Sequence, residues 1–249
     1  MDGDTPESGD HGEEGSDDRT PSSCRFPASY SDEVLASIRQ LVPSSAARIL
    51  DPFAGPEGVR RLHATLGDFS FSGTPRSYLG VEIEPEWAQQ GEATVQGDAT
   101  KLQDLVEVKA FDPQMIITSP PYGNRMADQY LGDPKGSQRH TYAIALGRRL
   151  SDESAAKYQW GPKYQQILSE AIRSISIVLP EGGWLLWNIA NHYRKHELRL
   201  VVPWTVEKIL AREFELKRWD TVKARKLRHG ANHDMREDYE QLFLFRKTS

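Results

Sequence analysis

The sequence predicts an α/β fold, a mostly parallel sheet with helices on both faces, and three observations carry that prediction. Short apolar, β-branched runs alternate with stretches whose apolar residues recur at helical spacing. The runs end on acids, glycines or prolines, the residue types found where a sheet meets its ligand-binding edge. The chain finishes on two stretches of alternating polarity, which predict an antiparallel pair closing the sheet. Alternation of the first kind requires crossover connections, and hence a buried parallel sheet.

The first helix begins at "SDEVLASIRQLV", capped by Ser31 or Asp32, with Val34, Leu35, Ile38, Leu41 and Val42 on one face and Pro43 as its stop. "ARILDPF" (Ala47–Phe53) is a short buried strand that runs into a glycine-containing turn. "SYLGVEI" (Ser77–Ile83) is the second strand, and "PEWAQQGEA" starts the helix after it. "ATVQGDA" is the third strand and "QMIITS" (Gln114–Ser119) the fourth. A helix over 163–179 carries Tyr164, Ile167, Leu168, Ile172, Ile175 and Val178, and ends at Pro180-Glu181-Gly182-Gly183. "WLLWNIA" is the fifth strand and a helix follows over roughly 202–212. "FELKRWDTVK" and "EQLFLFRK" complete a seven-stranded sheet.

The 249 residues suit one large domain, and 38% hydrophobic residues suffice for its core. No apolar run approaches the roughly 20 residues of a membrane span. The polar start lacks the basic and apolar parts of a secretory leader. Cys24 is the single cysteine, so neither an internal disulfide nor a multi-cysteine zinc site is possible. No metal and no membrane are expected, and the setting is read as cytoplasmic. Residues 1–23 are rich in Asp, Glu, Gly, Ser and Pro and are expected to form a disordered acidic tail, leaving 24–249 as the folded domain. Residues 1–20 carry a net charge of −7 within a total of −5, so the remainder is +2. Its bases concentrate in "KRWDTVKARKLR" (217–228), a segment suited to meeting phosphates or to an ordinary solvated face.

In sheets of this kind ligands bind beyond the carboxyl ends of the strands. Asp51 with Gly55, Glu82, Asp98, and Ser119 to Tyr122 stand there. Small residues in "DPFAGPEG" admit a ligand close to the backbone. An acid at Glu82 suits ribose hydroxyls, and Asp98 is within reach of an adenine amine, so three acids at successive strand ends describe a pocket for an adenosine-containing cofactor. The sequence lacks GxGxxG and GxxxxGK[ST], which disfavours a nicotinamide dinucleotide and an ATPase. In "TSPPY" two prolines end the strand and stiffen the turn. The Pro120 carbonyl and the Ser119 hydroxyl then offer fixed acceptors to an exocyclic amine, and Tyr122 offers a flat face to a planar base.

"DPFAG", "GVEIEPEW", "GDAT" and "TSPPYGN" resemble, in order, the cofactor and catalytic motifs of S-adenosylmethionine-dependent amino methyltransferases acting on DNA. "FPASYSDEVLASIRQLV" looks like the segment that packs over the methionine end of the cofactor in that family. "GGWLLWNIANHYR" and the final basic stretch look like those of small methylases of actinobacteria and their phages, where such enzymes serve restriction-modification or self-protection. The resemblance implies a Rossmann-like class I methyltransferase fold over most of 25–249, in the cofactor-first order, with S-adenosylmethionine as cofactor. Carried over by position, it implies that Asp51, Phe53, Ala54, Gly55, Glu82 and Asp98 bind the cofactor. It makes Ser119, Pro120, Pro121 and Tyr122 the catalytic site.

The sequence departs from the family at Pro56-Glu57-Gly58, where serine or threonine is usual and a carboxylate weakens the expected grip on the methionine carboxylate. The implied reaction is site-specific methylation of an exocyclic amine on a base flipped from double-stranded DNA, with cytosine N4 favoured over adenine N6 because a serine opens the tetrad. Alternatives are a methyltransferase of the same fold acting on guanine N2 in RNA or on protein glutamine, and a non-catalytic nucleic-acid-binding protein that keeps the fold. Residues 124–162 form a long basic and aromatic insert expected to touch substrate. Asn124, Arg125, Arg139, Arg225 and Arg228 are the candidate DNA contacts, and Asn188, His192 and Arg194 follow the fifth strand close by.

Overall fold

A computed structural model describes residues 30–70, 72–129, 131, 141–223 and 238–248. Helix α1 (Asp32–Leu41) begins at Ser31, whose hydroxyl accepts from the Val34 amide at 3.2 Å. Strand β1 (Arg48–Asp51) leads through the "PFAGPE" turn into helix α2 (Gly58–Leu66). Strand β2 (Ser77–Glu82), helix α3 (Pro85–Gln90) and strand β3 (Thr94–Gln96) form the next crossover. Pro85 opens α3, where its missing N–H and fixed φ cost nothing. A 3₁₀ turn (Ala99–Asp104) and helix α4 (Val106–Phe111) return the chain to strand β4 (Met115–Thr118).

Helix α5 (Tyr142–Leu146) lies in the long insert, and helix α6 (Pro162–Val178) follows it. Strand β5 (Trp184–Ile189) is succeeded by a small hairpin, β6 (His192–Arg194) and β7 (Glu197–Arg199). Helix α7 (Val201–Leu210) and strands β8 (Phe214–Lys223) and β9 (Tyr239–Lys247) complete the described chain.

The main sheet has seven strands in the order β3-β2-β1-β4-β5-β9-β8. The expected antiparallel pair is present, with one difference from a simple edge pair. Strand β9 alone runs against the rest, inserted between β5 and β8, so β8 lies parallel to β5 at the edge. An order that starts at β1 and runs outwards both ways places a crevice at the C-terminal ends of β1 and β4.

Every central strand feeds both cores, as the two-residue period of a strand requires. Leu50, Ile116, Leu185, Trp187, Phe243 and Phe245 face α6 and α7 in one cluster. Ile49, Met115, Ile117, Leu186, Leu242 and Leu244 face α1 in the other. Burial on both faces holds the strand register firmly, since a slip of one residue exchanges the two cores. The strand ends, and the side chains beyond them, are fixed as a result.

Candidate active site

At the end of β1 the Asp51 carboxylate is turned inward. It accepts from the Tyr30 hydroxyl (2.9 Å), the Thr118 hydroxyl (2.8 Å) and the Phe53 amide (3.1 Å). Those bonds tie the segment before α1, the end of β4 and the first turn to one buried group. Burial pushes the Asp51 carboxyl up to about 6, against the three hydrogen bonds. Gly58 is required here, because a Cβ would stand 2.9 Å from Asp51 Oδ2. Glu57, the departure from the family turn, ion-pairs with Arg60 at 3.3 Å, one helical turn along α2.

Glu82 ends β2 almost fully buried and accepts from the Gly55 amide (3.1 Å) and the Glu84 amide (2.9 Å), one bond to each oxygen. Burial, reinforced by the charge of Glu84, pushes its carboxyl up to about 7, with the amide bonds opposing. Asp98 caps the 3₁₀ turn after β3, where Oδ1 accepts from the Thr100 amide and hydroxyl, both at 2.8 Å. Phe53, Glu82, Asp98, Ser119 and Pro121 line one cleft. Thus Glu82, Asp98 and the first residue of the tetrad, singled out from separate motifs, share a single cleft.

The tetrad follows β4 in a turn held from outside. Tyr164 on α6 is fully buried, and its hydroxyl donates to the Pro121 carbonyl at 2.6 Å. The Trp160 amide donates to the Gly123 carbonyl at 2.7 Å. Gly123 has φ +63°, and a Cβ there would meet the Trp160 amide nitrogen at 3.0 Å. Ser119 Oγ lies 3.0 Å from the Tyr122 hydroxyl, which donates to Glu240 Oε2 at 2.7 Å. Asn188 Nδ2 stands 2.7 Å from Glu240 Oε2, 2.9 Å from the Tyr122 oxygen and 3.2 Å from Ser119 Oγ. Burial first, and the Glu240 charge second, hold the Tyr122 phenol well above its usual value.

The described part of the insert packs on α3. Tyr142, Ala143, Leu150 and Ala156 form a cluster with Trp87. Arg148 makes a two-pronged pair with Glu86 (2.8 and 2.6 Å) and reaches Glu84 at 2.9 Å. Glu84 is fully buried, and its remaining bonds come from the Ser151 amide (2.8 Å) and hydroxyl (3.0 Å). A buried carboxylate needs such partners, so the insert neutralises α3 while Tyr142, Glu153 and Ser154 wall the cleft.

The structure therefore joins Phe53, Glu82, Asp98, Ser119 and Pro121 at one cleft. Pro120 is buried in the turn beside it, and Tyr122 is drawn into the Asn188–Glu240 cluster. Ala54 is buried and Gly55 acts through its amide on Glu82. Asn124 Oδ1 accepts from the Met126 amide at 2.8 Å, and Arg125 lies in the 3₁₀ turn that follows. Arg139, Arg225, Arg228 and the acidic tail lie outside the described residues. Glu240 and Tyr30 were not among the sequence candidates. No local pattern marks them, because each meets the site only through the fold. Among the described residues no group of three or more His, Cys, Asp or Glu could hold a metal ion, and no helix is long and apolar enough to cross a membrane.

No protein-family model matches the chain, and no curated protein matches it in sequence. Among solved structures, TrmN from Thermus thermophilus superposes with a TM-score of 0.53 at 13% identity, over 90% of this chain and 51% of that one. The chain thus spans about half the length of that protein. NSun6 from Pyrococcus horikoshii with SFG gives 0.49 at 14% identity, over 87% and 51% of the two chains. The N-methyltransferase NodS from Bradyrhizobium japonicum gives 0.47 at 11%, over 87% and 96%. With its strand order and its single reversed strand β9, the chain has the Rossmann-like fold of class I methyltransferases.

Proposed function

We propose that the chain is an S-adenosylmethionine-dependent DNA methyltransferase acting on the exocyclic amine of a flipped base, cytosine N4 in preference to adenine N6. The observation that carries this reading is that Ser119 and Pro121 open onto the same cleft as Glu82 and Asp98. Transfer between a cofactor and an amine requires that adjacency, since reacting atoms must be held about 3–3.5 Å apart.

The residues present fit the cofactor. Two backbone amides aim the Glu82 carboxylate, leaving it lone pairs for ribose hydroxyls. Asp98 Oδ2 is left by the Thr100 bonds to accept from an adenine amine, with Lys101 Nζ 3.5 Å away. Phe53 and Ile167 supply apolar wall. The Asp51 carboxylate accepts from Tyr30, Phe53 and Thr118, so its proposed part is to hold the first turn in place. When bound, the cofactor supplies an electrophilic methyl carbon. Ser119 and the Pro120 carbonyl are proposed to orient the amine by accepting its hydrogens, and Tyr122 to bound the base. Withdrawing the target nucleotide from the duplex costs a few kcal/mol, met by backbone contacts for which Asn124, Arg125, Arg139, Arg225 and Arg228 are the candidates.

The test offers methyl-labelled cofactor to the full chain with duplex DNA, structured RNA and a glutamine-containing protein in separate reactions. Label in DNA, traced by nucleoside digestion to N4-methylcytosine, is the expected result. Label in RNA or protein alone would overturn the substrate, and failure to bind the cofactor in calorimetry would overturn the enzyme.

Tyr164→Phe removes the single hydroxyl that holds the Pro121 carbonyl from α6. A loss of about 1–2 kcal/mol in urea unfolding is expected, with slower methyl transfer and unchanged cofactor affinity. Transfer at the wild-type rate would show that the turn keeps its shape without that anchor.

A further inference from the structure

We infer that Glu240, acting through Tyr122, sets the direction of the hydrogens around Ser119 and takes up the proton that the substrate amine gives up. The inference rests on the amine-methylation reading above. It starts from a contact between the turn after the fourth strand and the ninth strand, 118 residues apart in sequence. Because β9 is antiparallel to β5, its beginning lies at the C-terminal end of β5. Asn188 pairs with Leu242, and Glu240 comes two residues earlier, at the rim where the tetrad stands.

A carboxylate accepts hydrogen bonds and donates none, so the phenol must donate to Glu240 Oε2. A phenol has one hydrogen. Towards Ser119 Oγ, 3.0 Å away, its oxygen is therefore the acceptor and the serine hydroxyl the donor. The Asn188 amide adds two more hydrogens to the same cluster, shared among the carboxylate, the phenol oxygen and Ser119 Oγ. The line of donors thus runs from Ser119 to Tyr122 to Glu240. Ser119 is left with its hydrogen turned away from the cleft and a lone pair turned to it, which suits an incoming amine. A neutral group at position 240 would free the phenol to donate to Ser119. Ser119 would then donate into the cleft and engage the nitrogen lone pair that must attack.

The proton has a matching route. The amine lone pair forms the N–C bond as the electrons of the S–C bond return to sulfur. The nitrogen, now carrying one proton too many, passes it to Ser119 Oγ. The Ser119 proton moves to the Tyr122 oxygen, and the Tyr122 proton moves to Glu240. The neutral acid then returns its proton to water. Glu240 does not touch the reacting atoms and acts as a positioning and relay residue.

The experiment compares Glu240→Gln, Glu240→Asp and Glu240→Ala with the wild type on an unmethylated DNA that the wild type methylates. Glu240→Gln is expected to lose about a hundredfold or more in kcat, with KM for DNA and cofactor affinity within about threefold. Glu240→Asp should recover part of the rate, and formate should partly restore Glu240→Ala. A readout independent of turnover is the ultraviolet titration of Tyr122, with Tyr122→Phe as the blank. The other ionisable groups interacting with this phenol are Tyr30 and Tyr142, present in every variant. In Glu240→Gln the phenol should titrate at lower pH than in the wild type. Wild-type kcat in Glu240→Gln, or an unmoved phenol titration, overturns the inference while leaving the methyltransferase reading intact. A wild-type protein that methylates no amine overturns both.

Discussion

Replacing Ser119 and Tyr122 together by alanine is expected to lower methyl transfer by about a thousandfold or more while cofactor binding persists. The two side chains lie 3.0 Å apart and form the tetrad's share of the polar cluster at the cleft. Without Ser119 the amine loses its acceptor and the first step of its proton route. Without Tyr122, Glu240 loses the phenol that links it to the site. The cofactor acids act independently of this pair, because Glu82 is held by the Gly55 and Glu84 amides and Asp98 by Thr100. Incorporation of labelled methyl into DNA, read beside calorimetric cofactor binding, separates the two halves of the cleft. Methylation at the wild-type rate would remove the tetrad from the mechanism. Ser119→Ala alone should already cost about a hundredfold, since Ser119 alone of the pair faces the cleft.

The second large effect is an unusual slope of stability with pH. Burial raises Asp51 from 3.8 to about 6 and Glu82 from 4.5 to about 7. In both cases the native state holds the proton more tightly than the unfolded chain. Between the unfolded and folded values the native state therefore binds more protons, and stability falls as pH rises. The contribution is fully present below about pH 4 and is lost as pH climbs through 6 and 7. Each group is worth on the order of 3 kcal/mol. Glu86 and Asp152 are held low by Arg148 and Lys157, so they act in the opposite sense, but below the ordinary carboxylate range. Urea unfolding at pH 5 and pH 7.5 should show the protein more stable at the lower value. The Asp51→Asn, Glu82→Gln double variant should flatten the difference. Equal stability of the wild type at both pH values would mean that water reaches these carboxylates.

The parts of the fold that were legible are those with a strong local period. Helix α1 lies within its expected span, Ser31 being the one of the two expected caps that the helix uses, and "MIIT" is buried at all four positions. Helix α2 escaped notice because its buried residues, Gly58, Val59 and Leu62, form a short stripe directly after a glycine turn. The reversal of β9 into the middle of the sheet has no local signature either, since alternation does not say which neighbour a strand will choose. At the site, the acids ending β2 and following β3 were visible because motif and strand end coincide. Glu240 was not, because within "YEQLFLFRK" it reads as one polar position of an alternating strand. Arg148 looked like one more base for phosphates, yet Glu84 and Glu86 claim it. Long-range pairing of charges is decided by packing, and a linear reading has no access to it.

The position of β9 ties activity to the order of synthesis. It is the last of the described strands to be synthesised, yet it takes an interior place, hydrogen-bonded to β5 on one side and to the edge strand β8 on the other. Until it arrives, β5 has an open edge and Asn188 and Tyr122 have no carboxylate to point at. Nascent chains, and chains clipped before residue 238, would thus carry a cofactor cleft beside an unfinished amine site. The seven-stranded sheet and the Tyr122–Asn188–Glu240 cluster would be completed in the same event.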